Sequence, residues 1–545
     1  MGALLPSVAI ATAVVVLVFR FLGRLSSPPE LKPALQDSTP PIPHPLGERL
    51  VKALPQGSVL LLHRDGELFR QSLSTYFARQ ERDVIQAVIV QPRTTQEVST
   101  AIQILKGEHQ RRQSSGAMSD DVLFAVRGGG QSPLTGAASA KGGVLIDLTH
   151  FREVMVAEDR ESVVIGAGSR WGDVSRILDE LNLGVVGGRS ADVGVGGFTL
   201  GGGISFFTPR YGLACSNVIA YEVVLASGEI VTATASSHPE LWRALKGGSN
   251  NFGVVTRFTV RCFLSSPIWS GYIYAPGSQC SKALLALHDS VKRMDPKSSG
   301  AEVDSYAAGA IVCDVYLQPI GMRLLALQLA YTKTPESPKK WPAFWQRSGF
   351  SALWRYWSTH RVQSVTSAVE EVNRGCWPSK RSSFGTTTIK NDLATIMAAR
   401  NVFREATASL RKVEGSMWTM VVQPLLPSWT AKGDPNVIGV HESTDEPLIV
   451  VNLSIDWDGA HNDEYVYSVV RGILDKVNAI AEANGTSHSY RYLNYCEKWQ
   501  CPLVGYGEQN LEFLRKIGQQ YDPDGLFQTG CTGGFKLGPS SASVD

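Results

Sequence analysis

Eighteen of the chain's fifty-two glycines fall between Gly128 and Gly203, and this concentration restricts the fold more than any other feature of the sequence. Glycine reaches positive φ at little cost, and without a Cβ it lets neighbouring amide N–H groups converge on an anion. The first cluster, "VRGGGQSPLTGAA", follows the strand-like "LFAV". The second, "GVVGGRSADVGVGGFTLGGGISFFTPRYGLACSNV" from Gly184 to Val218, is too rich in glycine for a packed helix and too apolar and long for a solvated linker. Buried as a loop, it leaves amides that need acceptors, and an internal ligand carrying a pyrophosphate supplies them. Neither cluster has the G-x-G-x-x-G spacing that opens a dinucleotide-binding helix with an acidic residue about twenty positions on, so a different nucleotide site is expected. At Gly129 the missing side chain is expected to leave room for the phosphate.

The surrounding pattern is α+β. "AVIVQPRTTQEVSTAIQILKG" reads as a short strand, a proline turn and a helix with Val98, Ile102 and Leu105 on one face. Residues 108–121 read as a surface loop. "GGVLIDLTHF" and "SVVIGAGSRW" read as further strands, followed by a helix at about Trp171 to Leu181. After Leu264 aromatics become frequent, and alternating runs such as "AIVCDVYLQ" and "LIVVNLSIDWDG" predict an antiparallel sheet with helices between its strands. The expected organisation is an anchor over 1–25, a proline-rich linker and lead-in over 26–82, a cofactor domain over 83–264, a substrate domain over 265–489, and a segment over 490–537 that completes the cofactor domain.

Fifty-two Lys and Arg against fifty Asp and Glu leave a formal charge of +2, with no basic patch to serve a nucleic-acid partner. Eight cysteines without a CxxC pair or a Cys/His cluster argue against a structural metal. Cys496 and Cys501 are expected as free thiols, with a bridge as the alternative in an oxidising compartment. The run Ala3 to Phe19 is apolar and uncharged, and Arg20, Arg24 and Lys32 follow it. Charge after the run rather than before it reads as a signal anchor at the endoplasmic reticulum with the body in the cytosol. The alternative is a cleaved signal and secretion, for which the sequons at Asn452 and Asn484 would speak.

Together with the glycine clusters, "AVIVQPRTTQEVSTAI", "GGVLIDLTHF", "HPELWRALKGGSNNFGVVTRFTVR", "RYLNY" and "YDPDGLFQTG" resemble the FAD-linked oxidases of the vanillyl-alcohol oxidase and p-cresol methylhydroxylase (PCMH) type, in the berberine-bridge-enzyme-like branch common in fungal and plant secondary metabolism. The resemblance covers about 83–264 and the last fifty residues. It implies a PCMH-type FAD-binding fold in two α+β subdomains and an α/β substrate domain with an antiparallel sheet. By position, Arg127, Gly128, Gly129, Gly130, Gln131 and Ser132 would wrap the FAD pyrophosphate. Ser190, Val193, Gly194, Gly196 and Gly197 would run beside the isoalloxazine ring, and Gly253, Val254 and Val255 would touch its side through backbone. Asn494 and Tyr495 would lie near flavin and substrate.

Many members of that family attach flavin through a histidine and a cysteine at the places held here by Gln131 and Ser190. An amide and an unactivated hydroxyl are not such nucleophiles, so FAD is expected to be non-covalent. The implied activity is oxidation of a small organic substrate by hydride transfer to flavin N5 with reoxidation by O₂, and Val193, at a position small and β-branched in related oxidases, supports O₂. Tyr495 and Asp456 are the candidate bases. The alternatives are an FAD-retaining cyclase that works by orientation and a non-catalytic flavin scaffold. Oligomeric state is left open.

Overall fold

The computed structural model describes residues 45–115, 122–375, 380–531 and 533–538. Four strands, β1 (Val59–Leu61), β2 (Val88–Val90), β3 (Phe124–Arg127) and β4 (Val144–Asp147), form a sheet in the order β1-β2-β4-β3. β4 lies parallel to both neighbours, and β1 is antiparallel to β2. The helix Thr95–Ser114 connects β2 to β3; Thr94 caps it by accepting from the Glu97 amide, and Val98, Ile102 and Leu105 are buried as their spacing predicts.

Folding begins ahead of the expected boundary at 83. The helix Pro45–Ala53 buries Leu46 and Leu50, and β1 adds an edge to the first sheet, so the lead-in belongs to the cofactor domain from residue 45 onward. The expected anchor at the amino terminus lies outside the described residues, and among the described residues no helix is long and apolar enough to cross a membrane.

A second sheet holds β5 (Val154–Val156), β6 (Ser162–Gly166), β8 (Val218–Val224), β9 (Ile230–Thr234) and β10 (Val254–Arg261) in the order β5-β6-β10-β8-β9, while β7 (Leu183–Gly184) pairs with β11 (Phe263–Leu264). The carboxy-terminal segment returns to this module: Leu123 N–H donates to the Gly530 carbonyl, and Phe124 meets Phe527 edge to face.

The large sheet comprises β12 (Ile268–Pro276), β13 (Ile311–Leu317), β14 (Met322–Tyr331), β15 (Trp357–Ser358), β16 (Arg361–Gln363), β17 (Arg381–Lys390), β18 (Met417–Leu425), β19 (Leu448–Trp457) and β20 (Ser487–His488). Its pairings are antiparallel, as the alternating runs predict. One face carries Ile449, Val451, Leu453, Ile455 and Trp457 into a core with the helices Cys280–Met294, Leu393–Ser409 and Asp463–Ala483. Period two sends the intervening residues to the opposite face, toward the cofactor module.

Two glutamines close the outer edge of β17. The Gln80 amide pairs with the N–H and C=O of Ser382, and the Gln500 amide does the same for Thr386. Gln80 also donates to the Pro133 carbonyl, tying the first glycine loop to the large sheet. Asn452 is 3% exposed in β19, so its sequon offers no site for a glycan in the folded chain. Cys496 and Cys501 are free thiols, the first buried and the second exposed.

Candidate functional site

The two glycine clusters cross. A Cβ built on Gly129 would lie 2.5 Å from the Gly194 Cα, and one on Gly194 would lie 2.5 Å from the Gly129 Cα. Gly129 therefore owes its identity to this contact with Gly194, which corrects the expectation that its missing side chain leaves room for a phosphate. The Arg170 guanidinium locks the crossing by donating to the Asp192 and Gly129 carbonyls at 2.7 and 3.0 Å.

Beside the crossing, the amides of Gly128, Gly129, Gly130, Gln131 and Ser132 have no protein acceptor among the described residues. The loop's own contacts run otherwise: the Gly130 carbonyl accepts from Phe77, the Ser132 hydroxyl accepts from Leu134 N–H, and Gly130 turns at φ +64°. On the other strand of the crossing, the buried Ser169 and Thr199 hydroxyls lack partners, and a Cβ on Gly197 would meet open space. Val195 N–H is taken by the Ser169 carbonyl, while Gly196 and Gly197 lie in the first turn of the helix Val195–Leu200, whose amides have no intrahelical acceptor. Backbone donors in a row, two unpartnered hydroxyls and a wall without side chains fit the phosphates and ring edge of a flavin dinucleotide.

Arg127 does not offer its side chain to that loop. Its guanidinium is 2% exposed, pairs with Asp147 at 2.6 Å, donates to Ser72, and stacks over the Tyr76 ring. Glu81 supports the loop from below, accepting from Gly136 N–H at 2.6 Å; burial pushes its carboxyl up to about 7 against the pull of Ser139 and the loop amides. Gly253, Val254 and Val255 enter β10 beside Val223 and Val224 and are buried in the second sheet.

Ser190, Asp192 and the large-sheet domain are bound together through Asn373, which accepts from the Ser190 hydroxyl at 3.1 Å and donates to Asp192 at 2.8 Å. The Ala191 amide donates to Val369 in the same helix, Val365–Asn373. Val193 uses its carbonyl to accept from Trp171 N–H.

Tyr495 lies where both domains meet. It packs edge to face on Tyr492 and on Phe384 of β17, and its phenol oxygen accepts from Arg189 at 3.1 Å. Arg189 also donates to Gln423 Oε1 of β18 at 2.8 Å. Asn494 holds the framework rather than pointing outward: its amide donates to the Phe198 carbonyl and the Tyr492 hydroxyl, which itself accepts from Ile204 N–H. Arg189, Gln423, Arg170 and Asn373 were not singled out by sequence reasoning. An arginine inside a glycine run and a lone glutamine inside the apolar "TMVVQPL" were the signals for the first two.

Asp456 shares the module-facing side of the large sheet. Phe384 pairs with Ser454, and Asp456 follows two residues later, about 7 Å further along the strand. It is fully buried with no partner for Oδ1, and burial pushes its carboxyl up to about 7 although Ser382 and Lys380 pull it down. No hydrogen bond joins it to Tyr495 among the described residues. Asn452 Oδ1, Thr388 Oγ1 and Gln423 Nε2 on the same face are also buried without partners.

Comparison with known proteins gives this geometry a context. The family described as FAD binding domain matches residues 86–234. An FAD-dependent monooxygenase of Fusarium proliferatum is 33% identical over 85% of this chain and 87% of its own. Among solved structures, 6-hydroxy-D-nicotine oxidase from Arthrobacter nicotinovorans superposes with a TM-score of 0.68 at 19% identity, covering 92% of this chain and all of its own. A glucooligosaccharide oxidase of Acremonium strictum with a 6-S-cysteinyl, 8α-N1-histidyl FAD does so with a TM-score of 0.66 at 19% identity, covering 89% and 98%.

Proposed function

Because this chain belongs to the family of fungal FAD-dependent monooxygenases and carries the FAD binding domain over residues 86–234, we propose that it oxidises a small organic substrate of secondary metabolism with FAD held at the Gly129–Gly194 crossing. The observation that carries this reading is the run of unpaired amides from Gly128 to Ser132. FAD bound there would supply the hydride acceptor and pass the electrons to O₂.

The chain's own residues bind and orient. The Gly128–Ser132 amides hold the pyrophosphate, and Arg170 fixes the two segments whose close approach shapes the groove. Tyr495 orients a substrate O–H or N–H by hydrogen bonding through a phenol oxygen held in place by Arg189, and the large sheet faces it with polar side chains. Asp456, one pleat along and sealed from solvent, is assigned to the pocket's far wall rather than to proton transfer. FAD is held without a covalent bond: Gln131 has no nucleophilic lone pair, and the Ser190 hydroxyl is engaged by Asn373.

Residues 45–538, purified, should be yellow with about one FAD per chain. Mixed anaerobically with intermediates of its pathway, the flavin should bleach and recover on admitting air. A folded, colourless protein that takes up no FAD overturns the reading, and flavin that never bleaches while product forms would favour the cyclase.

A further inference from the structure

We infer that the substrate of this site carries an acidic, delocalised oxygen group, a carboxylate or an ionised phenol or enol, and that Arg189 with Gln423 is its anchor. The inference rests on the oxidoreductase reading for the site's purpose, and its geometry stands apart from it.

Arg189 is a half-buried cation with two neutral acceptors, Gln423 Oε1 and the Tyr495 oxygen. No carboxylate among the described residues lies within ion-pair distance of it. A guanidinium carries five N–H donors, and a partly desolvated one without a counter-ion is costly unless a ligand provides the negative charge. Cys313 on the sheet supplies none, because burial pushes its thiol up to about 12 even with Arg189 pulling it down.

Gln423 gives the second, independent indication. It is 1% exposed, and because Oε1 faces the guanidinium, the amide is oriented with Nε2 turned away; that nitrogen is buried with no acceptor. Arg189 and Gln423 line one cavity whose remaining walls mix the hydroxyls of Ser205 and Thr208 with Ile204, Phe206 and Trp429. A cation without a carboxylate partner and an amide with an unused donor therefore border the same cavity. That combination selects a planar oxyanion, since a neutral group would leave the guanidinium uncompensated.

Calorimetric titration of the holoprotein tests this with two matched pairs: benzoate against benzamide, and 4-nitrophenolate against 4-nitroanisole above the phenol's pKa. At least one anion should bind tenfold or more tightly than its neutral partner; the pair that discriminates tells carboxylate from phenolate. Arg189→Gln should erase the preference, and Gln423→Glu, nearly isosteric, should abolish anion binding by placing a carboxylate beside Arg189. FAD content is measured in every sample. Equal affinity for anion and neutral partner in both pairs, or a preference that survives Arg189→Gln, overturns the inference. So does an Arg189→Gln protein that loses FAD but keeps the preference, which would assign the guanidinium to the flavin. A wild-type protein without flavin that still prefers anions would instead defeat the oxidoreductase reading and leave this one standing.

Discussion

Gly129 and Gly194 touch backbone to backbone, each within 2.5 Å of where the other's Cβ would be, and sixty-five residues of chain separate them. No side-chain rearrangement relieves that contact, because the atoms met are main chain on both sides. Gly129→Ala should therefore push the clusters apart, with a stability loss of about 1–3 kcal/mol and little retained FAD. Gly197→Ala is the contrasting case. Its methyl meets open space in the helix Val195–Leu200, so stability should hold or rise by up to about 1 kcal/mol. If the flavin lies in that space, FAD content should nevertheless fall. Flavin absorbance per chain and urea midpoints of both variants check this; equal stability losses would refute the distinction.

Arg127 beside three glycines reads as a phosphate ligand, yet its guanidinium is spent on Asp147, both side chains 2% exposed. Removing one partner strands the other charge in the core. Arg127→Met alone should cost about 3–5 kcal/mol, whereas Arg127→Met with Asp147→Leu should recover most of it. The double variant should also keep its FAD. Denaturant titration and flavin content decide; a stable double variant devoid of flavin would return Arg127 to the phosphates.

The same contrast marks what the sequence made legible. Strands β13 and β19 follow from period, which is local, and occur where the sequence places them; the helix from Thr95 begins as expected but runs on to Ser114 through residues read as loop, because Glu108 and His109 are buried on it despite their polarity. The glycine clusters announce that backbone must come close to something, but not that Gly129 comes close to Gly194, since pairing across the chain leaves no mark in either segment. The prolines of 26–45 disguised the lead-in, although Leu46, Leu50 and Leu54 repeat at helical spacing and are buried. Arg189 and Gln423 lie 234 residues apart. Each is conspicuous by its polarity among apolar neighbours, and only the packing of the large sheet on the second glycine cluster makes them one site.

Asp456 links burial to pH. Its carboxyl ordinarily titrates near 3.8 and here is pushed up to about 7 by burial. Between those values the folded chain holds a proton that the unfolded chain has released, so this residue's contribution to stability falls as pH rises through the window and levels off above about 7. The slope for one group is on the order of 1 kcal/mol per pH unit. Asp456→Asn lacks it, so the stability of the variant relative to the native protein should increase from pH 5 to pH 7.5. Urea midpoints at intervals across that range test the sign, and a constant difference would mean that Asp456 is not buried as a neutral acid.

The family resemblance places Gln131 and Ser190 where many members carry flavin-bonding side chains, and neither side chain is such a nucleophile. The Gln131 nitrogen is delocalised into its carbonyl, and the Ser190 hydroxyl donates to Asn373 with no base beside it. Acid precipitation of the native protein should therefore leave a white pellet and release all of the FAD to the supernatant. Gln131→His introduces an imidazole at the residue after the three glycines. If that side chain reaches the dimethylbenzene edge, part of the flavin should stay in the acid pellet and its reduction potential should rise. Were Gln131 instead a turn residue away from the flavin, the histidine variant would release its FAD as the native protein does and show an unchanged potential. Yellow colour in the native pellet would refute non-covalent binding outright, and peptide mapping of the flavin-bearing fragment would then identify the attachment residue.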